Sequence, residues 1–351
     1  MYSVPSFDTE YPEIIAGADI GSSKVTVQEG DVLICKINPR INRVWVVKHN
    51  TEHPLLASSE WIVVRNPGMD SDYLRWYFSS PTFRTLLNSE VAGIGGSLTR
   101  AQPKRVAQYT VPICPFEEQQ RISTSLNQVE SLISLRKQQI AKLDELVKAQ
   151  FVEMFDGIHD RTKYPYVTID SFTSVMSGGT PDRGIPEYWT SGTIRWVKTT
   201  ELQNCVIHDT EEHITQEGLD NSSAKLIPAG SILIAMYGQG KTRGMTGFLA
   251  VESTTNQACA CILPSSAVNQ TYLWQYMILS YDKLRDMAKG GNQPNLNAGI
   301  IKAFPVLMPP MELQNQFAAL VAQTDQQKLT IQQSLDKLEL LKKALMQKYF
   351  G

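Results

Sequence analysis

Motifs in the middle of the chain recur near its end at a constant spacing. Pro115, Glu117 and Gln119 recur 195 positions later as Pro310, Glu312 and Gln314. The same spacing relates Lys142/Lys337, Leu143/Leu338, Leu146/Leu341, Lys148/Lys343, Ala149/Ala344 and Phe155/Phe350. A constant spacing sustained over about forty residues predicts an internal duplication, so the chain should contain two related units.

Each copy of the repeat includes a long segment without helix breakers. Residues 119–155 and 312–350 contain neither Gly nor Pro, and Gly157 and Gly351 follow them. We therefore predict helices over 118–157 and 312–351. A helix of about 36 residues is roughly 54 Å long. The predicted helices have apolar seams that Arg136, Lys328 and Lys342 interrupt; the seams comprise Ile122, Leu126, Val129, Ile133, Ile140, Leu143 and Val147, and Phe317, Val321, Ile331, Leu335, Leu338 and Leu345.

Equivalent seams on equivalent helices favour mutual pairing as an antiparallel coiled coil over two unrelated surface helices. The hinge residues before the seams are expected to cap the helix N-termini rather than to perform acid–base chemistry. These residues are Glu117, Gln119, Glu312 and Gln314.

The repeat extends backward into strand-rich globular parts. GDVLI at 30–34 matches GSILI at 230–234, and Ser22-Ser23 matches Ser222-Ser223. Short β-rich runs at 44–47, 61–64, 231–236 and 258–263 alternate with turn residues. Each globular part ends in a single predicted helix, which is SDYLRWYFSSPTFRTLL in the first part and QTYLWQYMILSYDKLRDMA in the second. The fold class is therefore mixed α/β, with two globular domains separated by the two long helices.

The predicted globular domains cover residues 1–117 and 158–311. The first has no counterpart to residues 164–200, so we expect it to be N-terminally incomplete. Of the residues, 42% are hydrophobic and 19% charged, which is typical of a soluble globular protein. No apolar run approaches the ~20 residues that span a bilayer, and the N-terminus lacks a signal peptide, so we expect a cytoplasmic protein without membrane contact.

An ordered set of motifs in the second unit is similar to a known family. SGGTPDRGIPEYWTSGTIRWVKTTEL (177–202), ITQEGLDNSSAKLIPAGSILIAMYGQGKTRG (214–244), GGNQPNLN (290–297) and PPMELQ (309–314) resemble the specificity subunits of type I restriction-modification enzymes. The resemblance covers 164–351 and, less completely, 1–157. The order of the motifs makes the resemblance specific.

The resemblance implies two target-recognition domains that read the halves of a split site in double-stranded DNA. It also implies docking of methyltransferase subunits and of a translocase-nuclease subunit. S-adenosylmethionine, ATP and Mg²⁺ are then expected only in those partners, and this chain is expected to have no cofactor and no catalytic activity. Since one DNA turn is about 34–36 Å, a stiff helical spacer suits half-sites about one turn apart.

Base edges are read by Arg, Asn and Gln, and phosphates are bound by Lys, Ser and Thr. Loops rich in these types supply the candidate DNA-binding residues, although Gly, Asn and charged residues also populate ordinary solvated turns. The candidates in the second unit are Lys198, Thr199, Tyr237, Gln239, Lys241, Thr242, Arg243, Asn292, Gln293, Asn295 and Asn297. Those in the first unit are Lys36, Asn38, Arg40, Arg43, Arg100, Lys104 and Arg105.

Other chemistry finds little support in the sequence. GQGKT at 238–242 imitates the end of a phosphate-binding loop, but Ala235 occupies the position of its first glycine. The five cysteines and five histidines lack metal-ligand spacing, and Trp189, Trp196 and Trp274 are better explained as core aromatics than as stacking platforms for a flipped base. The alternative to a DNA-recognition subunit is a non-reading scaffold, a competitor, or a store of exchangeable recognition cassettes.

Overall fold

The computed structural model describes residues 1–48, 52–66, 68–89, 99–155, 163–238, 240–288 and 295–351. The fold is mixed α/β, as the sequence predicts, and the chain divides into two compact units. Unit 1 comprises Met1–Gln139 and Thr330–Gly351, and unit 2 comprises Ile140–Leu329. Each unit therefore combines a globular part with one portion of each long helix.

The described residues of unit 1 form small antiparallel sheets and the helices that precede the first long helix. Its strands are β1 (Lys24–Thr26), β2 (Val32–Cys35), β3 (Val44–Val46), β4 (Leu56–Ser58) and β5 (Trp61–Val64). Its helices are α1 (Ser71–Phe78), α2 (Pro81–Ser89) and α3 (Pro103–Val106), with 3-10 turns at Pro5–Thr9 and Gly17–Asp19. The first long helix, α4 (Phe116–Phe155), begins in unit 1.

Unit 2 contains a larger set of strands. They are β6 (Tyr166–Thr168), β7 (Val175–Ser177), β8 (Ile194–Val197), β9 (Cys205–Ile207), β10 (Glu212–Ile214), β11 (Ile232–Ala235), β12 (Thr246–Leu249), β13 (Thr254–Thr255), β14 (Cys259–Ile262) and β15 (Pro305–Leu307). The helices are α5 (Gln216–Asp220), α6 (Gln270–Leu279), α7 (Tyr281–Asp286), α8 (Ala298–Lys302) and the second long helix α9 (Met311–Phe350), with 3-10 turns at Ile169–Ser171, Pro186–Tyr188 and Thr199–Glu201.

The same three-stranded motif forms the centre of both units. In unit 1, β2 lies between β3 and β5, and all the pairings are antiparallel. In unit 2, β11 lies between β12 and β14 in the same way. The matched segments GDVLI and GSILI thus provide the buried central strands β2 and β11. The internal duplication predicted from the sequence therefore extends to sheet topology.

The flanking strands distinguish the two units. In unit 2, β7 extends the sheet antiparallel beside β14, and β9 extends it parallel beside β12. The strand β8 pairs antiparallel with β10, and Ile214 of β10 is fully buried in a cluster with Trp196 and Ala224. Ile14, which is 200 positions earlier, is 82% exposed. The described residues of unit 1 contain no strand corresponding to β7, β8 or β9.

The helix that was predicted to close each globular part is in fact two helices. In unit 1 it breaks between α1 and α2, where the Ser80 hydroxyl accepts a hydrogen bond from the Phe83 amide and Pro81 begins α2. A proline lacks the amide that would continue the preceding helix and disfavours helical geometry in the residue before it. In unit 2 the break falls at Ser280, between α6 and α7.

The long helices run antiparallel to each other within each unit. In unit 1, Lys342 of α9 bonds Glu130 of α4 at 3.1 Å, and Lys137 bonds Glu339 at 3.1 Å. In unit 2, Lys328 bonds Asp144 at 2.6 Å. The lysines that interrupt the apolar seam of α9 therefore face carboxylates of α4. The predicted antiparallel pairing is confirmed; residue 157, where the first helix was expected to end, lies outside the described residues.

A buried glutamine near the start of each long helix joins three chain segments. Gln119 Oε1 accepts from the Asp70 amide (3.0 Å), and its Nε2 donates to the Cys114 carbonyl (2.8 Å). In the same way, Gln314 Oε1 accepts from the Asn269 amide (2.9 Å), and Gln314 Nε2 donates to the Pro309 carbonyl (2.8 Å). The expected capping role is wrong for these two glutamines, because their acceptor oxygens bind the amide that precedes α1 or α6.

We expect Gln314→Ala to lower the free energy of unfolding by about 2–3 kcal/mol, because it leaves the partly buried Asn269 amide and the buried Pro309 carbonyl without these partners. Gln314 is only 1% exposed, and its bond to the Pro309 carbonyl is buried. The matched control is Gln316→Ala, an exposed glutamine of the same helix, for which a change below about 0.5 kcal/mol is expected. Urea denaturation measures both, and equal effects would contradict this role of Gln314.

Candidate nucleic-acid interface

Two side chains of α7 hydrogen-bond to the backbone of the loop between β11 and β12 in unit 2. Tyr281 Oη donates to the Lys241 carbonyl (2.7 Å), and Arg285 Nη1 donates to the Arg243 carbonyl (2.7 Å). Gly244, with φ of +88°, lies against both of these α7 side chains, where a Cβ atom would come within 3.2 Å of Arg285. Because the backbone carbonyls face α7, the loop is held in place while the side chain of Lys241 stays exposed.

Two further segments join this loop at the same end of the sheet. The Leu296 amide donates to the Met236 carbonyl (3.1 Å), and the Met236 amide donates to the Ala258 carbonyl (2.8 Å). The Asn256 amide donates to the Val197 carbonyl (3.2 Å), immediately before Lys198. We call residues 236–238, 240–243, 256–258 and 295–297 the unit-2 loop cluster.

The candidate residues of unit 2 occupy distinct places in or beside this cluster. Tyr237 and Lys241 are exposed, as is Asn295, whereas Thr242 and Arg243 are half-buried. Asn297 is the N-cap of α8, where its Oδ1 accepts from the Ile300 amide at 2.9 Å. Gln239, Asn292 and Gln293 lie outside the described residues.

Lys198 is close to the unit-2 loop cluster, but its charge is already engaged. Its ammonium group bonds Glu211 at 2.6 Å and Glu212 at 3.1 Å. The hydrogen bonds that Lys198 donates to Glu211 and Glu212 raise the pKa of Lys198 above its usual value. A phosphate that approached Lys198 would therefore meet two acidic side chains, and this position is less suited to phosphate binding than Lys241. Thr199 follows at the start of a 3-10 turn and is half-buried.

Unit 1 assembles the corresponding loops in the same way. The Ala101 amide donates to the Lys36 carbonyl (2.8 Å), and the Lys36 amide donates to the Glu60 carbonyl (2.9 Å). The Asn38 amide donates to the Thr99 carbonyl (2.8 Å), and Asn38 has a φ of +46°, which asparagine tolerates better than most residues. We call residues 36–43, 58–60 and 99–105 the unit-1 loop cluster.

The cationic candidates of unit 1 differ in exposure. Arg40, Lys104 and Arg105 are exposed, whereas Lys36 and Arg43 are half-buried. Arg100 is exposed and forms an ion pair with Glu60 at 3.1 Å. Burial raises the pKa of the neighbouring Cys35 thiol, and the charge of Arg43 opposes that shift.

Sequence patterns missed several groups that belong to these clusters. Arg84 Nη2 of α2 donates a hydrogen bond to the Pro39 carbonyl, and this bond anchors the loop at residues 36–43. Gln257 lies at the tip of the 256–258 turn, and Thr180 donates a hydrogen bond to its side-chain oxygen. Nothing local to Arg84 signals this role, because topology alone brings α2 to the loop. The Asn256-Gln257 pair between two strands was the available signal for the turn.

The charge of the loops contrasts with that of the whole chain. Residues 36–43 contain three cations, residues 99–106 contain three, and residues 236–243 contain two, with no acidic residue in any of these segments. The chain as a whole has a formal net charge of -2. Local concentration of Lys, Arg, Asn and Gln at one end of each sheet is the composition that nucleic-acid recognition requires.

Other kinds of site are less prominent in the parts of the chain that the structure describes. These parts contain no group of three or more His, Cys, Asp or Glu side chains arranged to hold a metal ion. None of the helices described is both long and apolar enough to cross a membrane. Trp196 and Trp274 are buried in cores, and Trp189 packs edge-on against Trp196 beneath the Arg183 guanidinium, so these rings act as core aromatics.

The sequence of this chain is similar to a family model and to individual known proteins. The model of the type I restriction modification DNA specificity domain matches residues 162–340. The Type I restriction enzyme EcoR124I/EcoR124II specificity subunit of Escherichia coli is 28% identical over 162 residues, 45% of this chain and 40% of that protein. The Type I restriction enzyme MjaIX specificity subunit of Methanocaldococcus jannaschii is 28% identical over 166 residues, 45% of this chain and 37% of that protein. The matched region thus spans less than half the length of either relative.

Solved structures show the same fold at low sequence identity. The type I restriction-modification system S subunit from M. genitalium has a TM-score of 0.62 and 11% identity, over 94% of this chain and 84% of that one. A chain from a study of complex assembly and conformational transition of the type I R-M system has a TM-score of 0.60 and 16% identity, over 99% of this chain and 90% of that one. At these identities the likeness is one of fold.

Proposed function

Because this chain belongs to the family of type I restriction modification DNA specificity domains, we propose that it is a recognition subunit that binds double-stranded DNA sequence-specifically. The chain has no catalytic role of its own in this proposal. The observation that carries it is the recurrence of one arrangement, since both units gather cationic and amide-bearing loops at the same end of the same three-stranded motif.

The two kinds of side chain in the clusters suit two kinds of contact. Exposed cations such as Lys241, Lys104 and Arg105 are suited to phosphates, which position a protein on the duplex without reading sequence. Amide side chains on anchored turns are suited to base edges, where bidentate hydrogen bonds discriminate between base pairs. Each unit therefore has the groups to bind one half of a bipartite site, and the two long helices connect the units.

Catalysis is assigned to partners in this proposal. Methyltransferase subunits and a translocase-nuclease subunit would be directed to the DNA site by this chain. S-adenosylmethionine, ATP and Mg²⁺ would be bound by those subunits. This part of the proposal rests on the family to which the chain belongs.

We expect duplex binding to weaken steeply with salt, and Lys241→Ala to reduce the slope of log affinity against log salt by about 1. The loss of affinity should be the same for all sequences, because a phosphate contact carries no sequence information. Lys142→Ala, an exposed lysine of α4 in the same unit, is the matched control and should leave the slope unchanged. Fluorescence anisotropy over a salt series, with the methyltransferase subunits bound, measures both variants.

Two results would count against the proposal. One is a wild-type complex that shows no preference among duplexes at moderate salt. The other is an identical salt slope for Lys241→Ala and the wild type. Lys104→Ala addresses unit 1 separately: an unchanged slope for this variant would favour the alternative in which unit 1 acts as a scaffold.

A further inference from the structure

The turn at residues 256–258 occupies a central place in the unit-2 loop cluster. Its Ala258 carbonyl accepts from Met236, at the start of the β11–β12 loop. Its Asn256 amide bonds the end of β8. Asn256 Oδ1 also accepts from the Ala258 amide (3.1 Å), which closes the turn on itself. Gln257 is therefore exposed at the tip of a turn that two strands and its own hydrogen bond hold in place.

The Gly-Gly-Thr segment at 178–180 supports this turn. A Cβ atom at Gly178 would lie 2.1 Å from the Thr255 carbonyl oxygen, and one at Gly179 would lie 2.3 Å from the Ser223 backbone. The Gly179 amide donates to the Thr255 carbonyl (2.8 Å), and Trp196 Nε1 donates to the Gly179 carbonyl (2.9 Å). Only glycine permits this close approach, which brings Thr180 beside the turn.

Thr180 determines the orientation of the Gln257 carboxamide. The Thr180 hydroxyl donates to Gln257 Oε1. This bond uses one of the two acceptor sites of the oxygen and leaves the other, together with both hydrogens of Nε2, available to a ligand. A glutamine whose free donor and acceptor are fixed side by side has the geometry that pairs with N7 and N6 of adenine in the major groove.

We propose that Gln257 reads an adenine in the half-site bound by unit 2, and that Thr180 is the positioning residue that orients its carboxamide. The inference rests on the proposed function, because it requires that the chain bind DNA. It assigns to the Gly-Gly-Thr segment the task of presenting one base-reading side chain.

The test is competitive binding of the methyltransferase-bound protein to duplexes in which each base pair of the preferred site is replaced in turn. Gln257→Ala should reduce discrimination at one A·T pair by about 5- to 150-fold and leave the other positions unchanged. Thr180→Val should reduce discrimination at that same pair, and Thr180→Ser, which keeps the hydroxyl, should restore it. Gln216→Ala, an exposed glutamine on α5, is the matched control and should change no position.

The outcomes separate this inference from the proposed function. If the wild type prefers no sequence, the proposed function fails first. If the wild type is selective but Gln257→Ala changes no position, or weakens all duplexes equally, the base-reading role of Gln257 is overturned. If Thr180→Val affects a different base pair from Gln257→Ala, or if Thr180→Ser fails to restore discrimination, the positioning role of Thr180 is overturned.

Discussion

Phe151→Ala should lower the free energy of unfolding of unit 2 by about 3–5 kcal/mol, the cost of removing a large aromatic side chain from a closed core. Phe151 is fully buried near the end of α4. Its ring lies 4.8 Å from Phe155, 5.3 Å from Phe317 and 5.7 Å from Tyr272, measured between ring centroids. The substitution opens a cavity where α4, α6 and α9 meet, and the surrounding rings cannot close it without shifting the helices.

The matched control for Phe151→Ala is Val152→Ala. Val152 is the next residue of α4 but is 52% exposed, so a change below about 0.5 kcal/mol is expected. Hydrogen–deuterium exchange on the whole chain locates the effect: amides of β11 and β14 in unit 2 should exchange faster in Phe151→Ala, whereas those of β2 and β5 should not. Equal acceleration in both units would show that the two cores do not unfold independently.

Each unit contains a portion of both long helices, which explains why a residue of α4 should stabilise the second globular part. Phe151 and Phe155 pack with Phe317 in unit 2, and Phe350 packs with Ile122 and Leu126 in unit 1. The far end of each long helix therefore completes the core of the other repeat. The spacing of Phe155 and Phe350 predicted their equivalence, but the sequence does not indicate that each would pack on the globular part of the other copy, because that requires the antiparallel pairing.

Helices and strands that depend on local sequence patterns were the most predictable features. The absence of Gly and Pro over long stretches predicted both long helices, and the β-rich runs predicted β3, β5, β11 and β14. The helix break at Ser79-Ser80 was missed, although Pro81 marked it locally. Asn297 was assigned to DNA because of its residue type, yet an asparagine before a short helical run also signals an N-cap, which is where the structure places it.

Features that depend on long-range pairing could not be predicted. The sequence identified the 236–243 loop, but not that Ala258 and Leu296 would hydrogen-bond to its first residue. It identified Lys198 as a candidate, but the ion pairs with Glu211 and Glu212 form only when β8 and β10 are adjacent. The candidate DNA contacts remain predictions; the structure shows which of them share a surface and which already have protein partners.

The second large effect on stability is expected for a substitution in the Gly-Gly-Thr segment. We expect Gly179→Ala to destabilise unit 2 by about 3 kcal/mol, at the upper end for an overpacked site, because the new methyl group would be 2.3 Å from the Ser223 backbone. The Gly179 segment cannot move away freely, because its amide and carbonyl are bonded to Thr255 and Trp196. The displaced backbone should also draw Thr180 away from Gln257, so the variant should lose sequence preference in addition to stability.

Gly184→Ala is the matched control for Gly179→Ala. Gly184 lies in the same connection, where the nearest atom to an added methyl group is the Asp182 side-chain oxygen at 3.2 Å, the end of a side chain that can rotate away. Urea denaturation should give a change below about 1 kcal/mol for Gly184→Ala and a shifted midpoint for Gly179→Ala. Competitive DNA binding, measured at a temperature where both variants are folded, separates the two consequences: if Gly179→Ala is destabilised but keeps full sequence preference, this segment supports the fold without orienting Gln257.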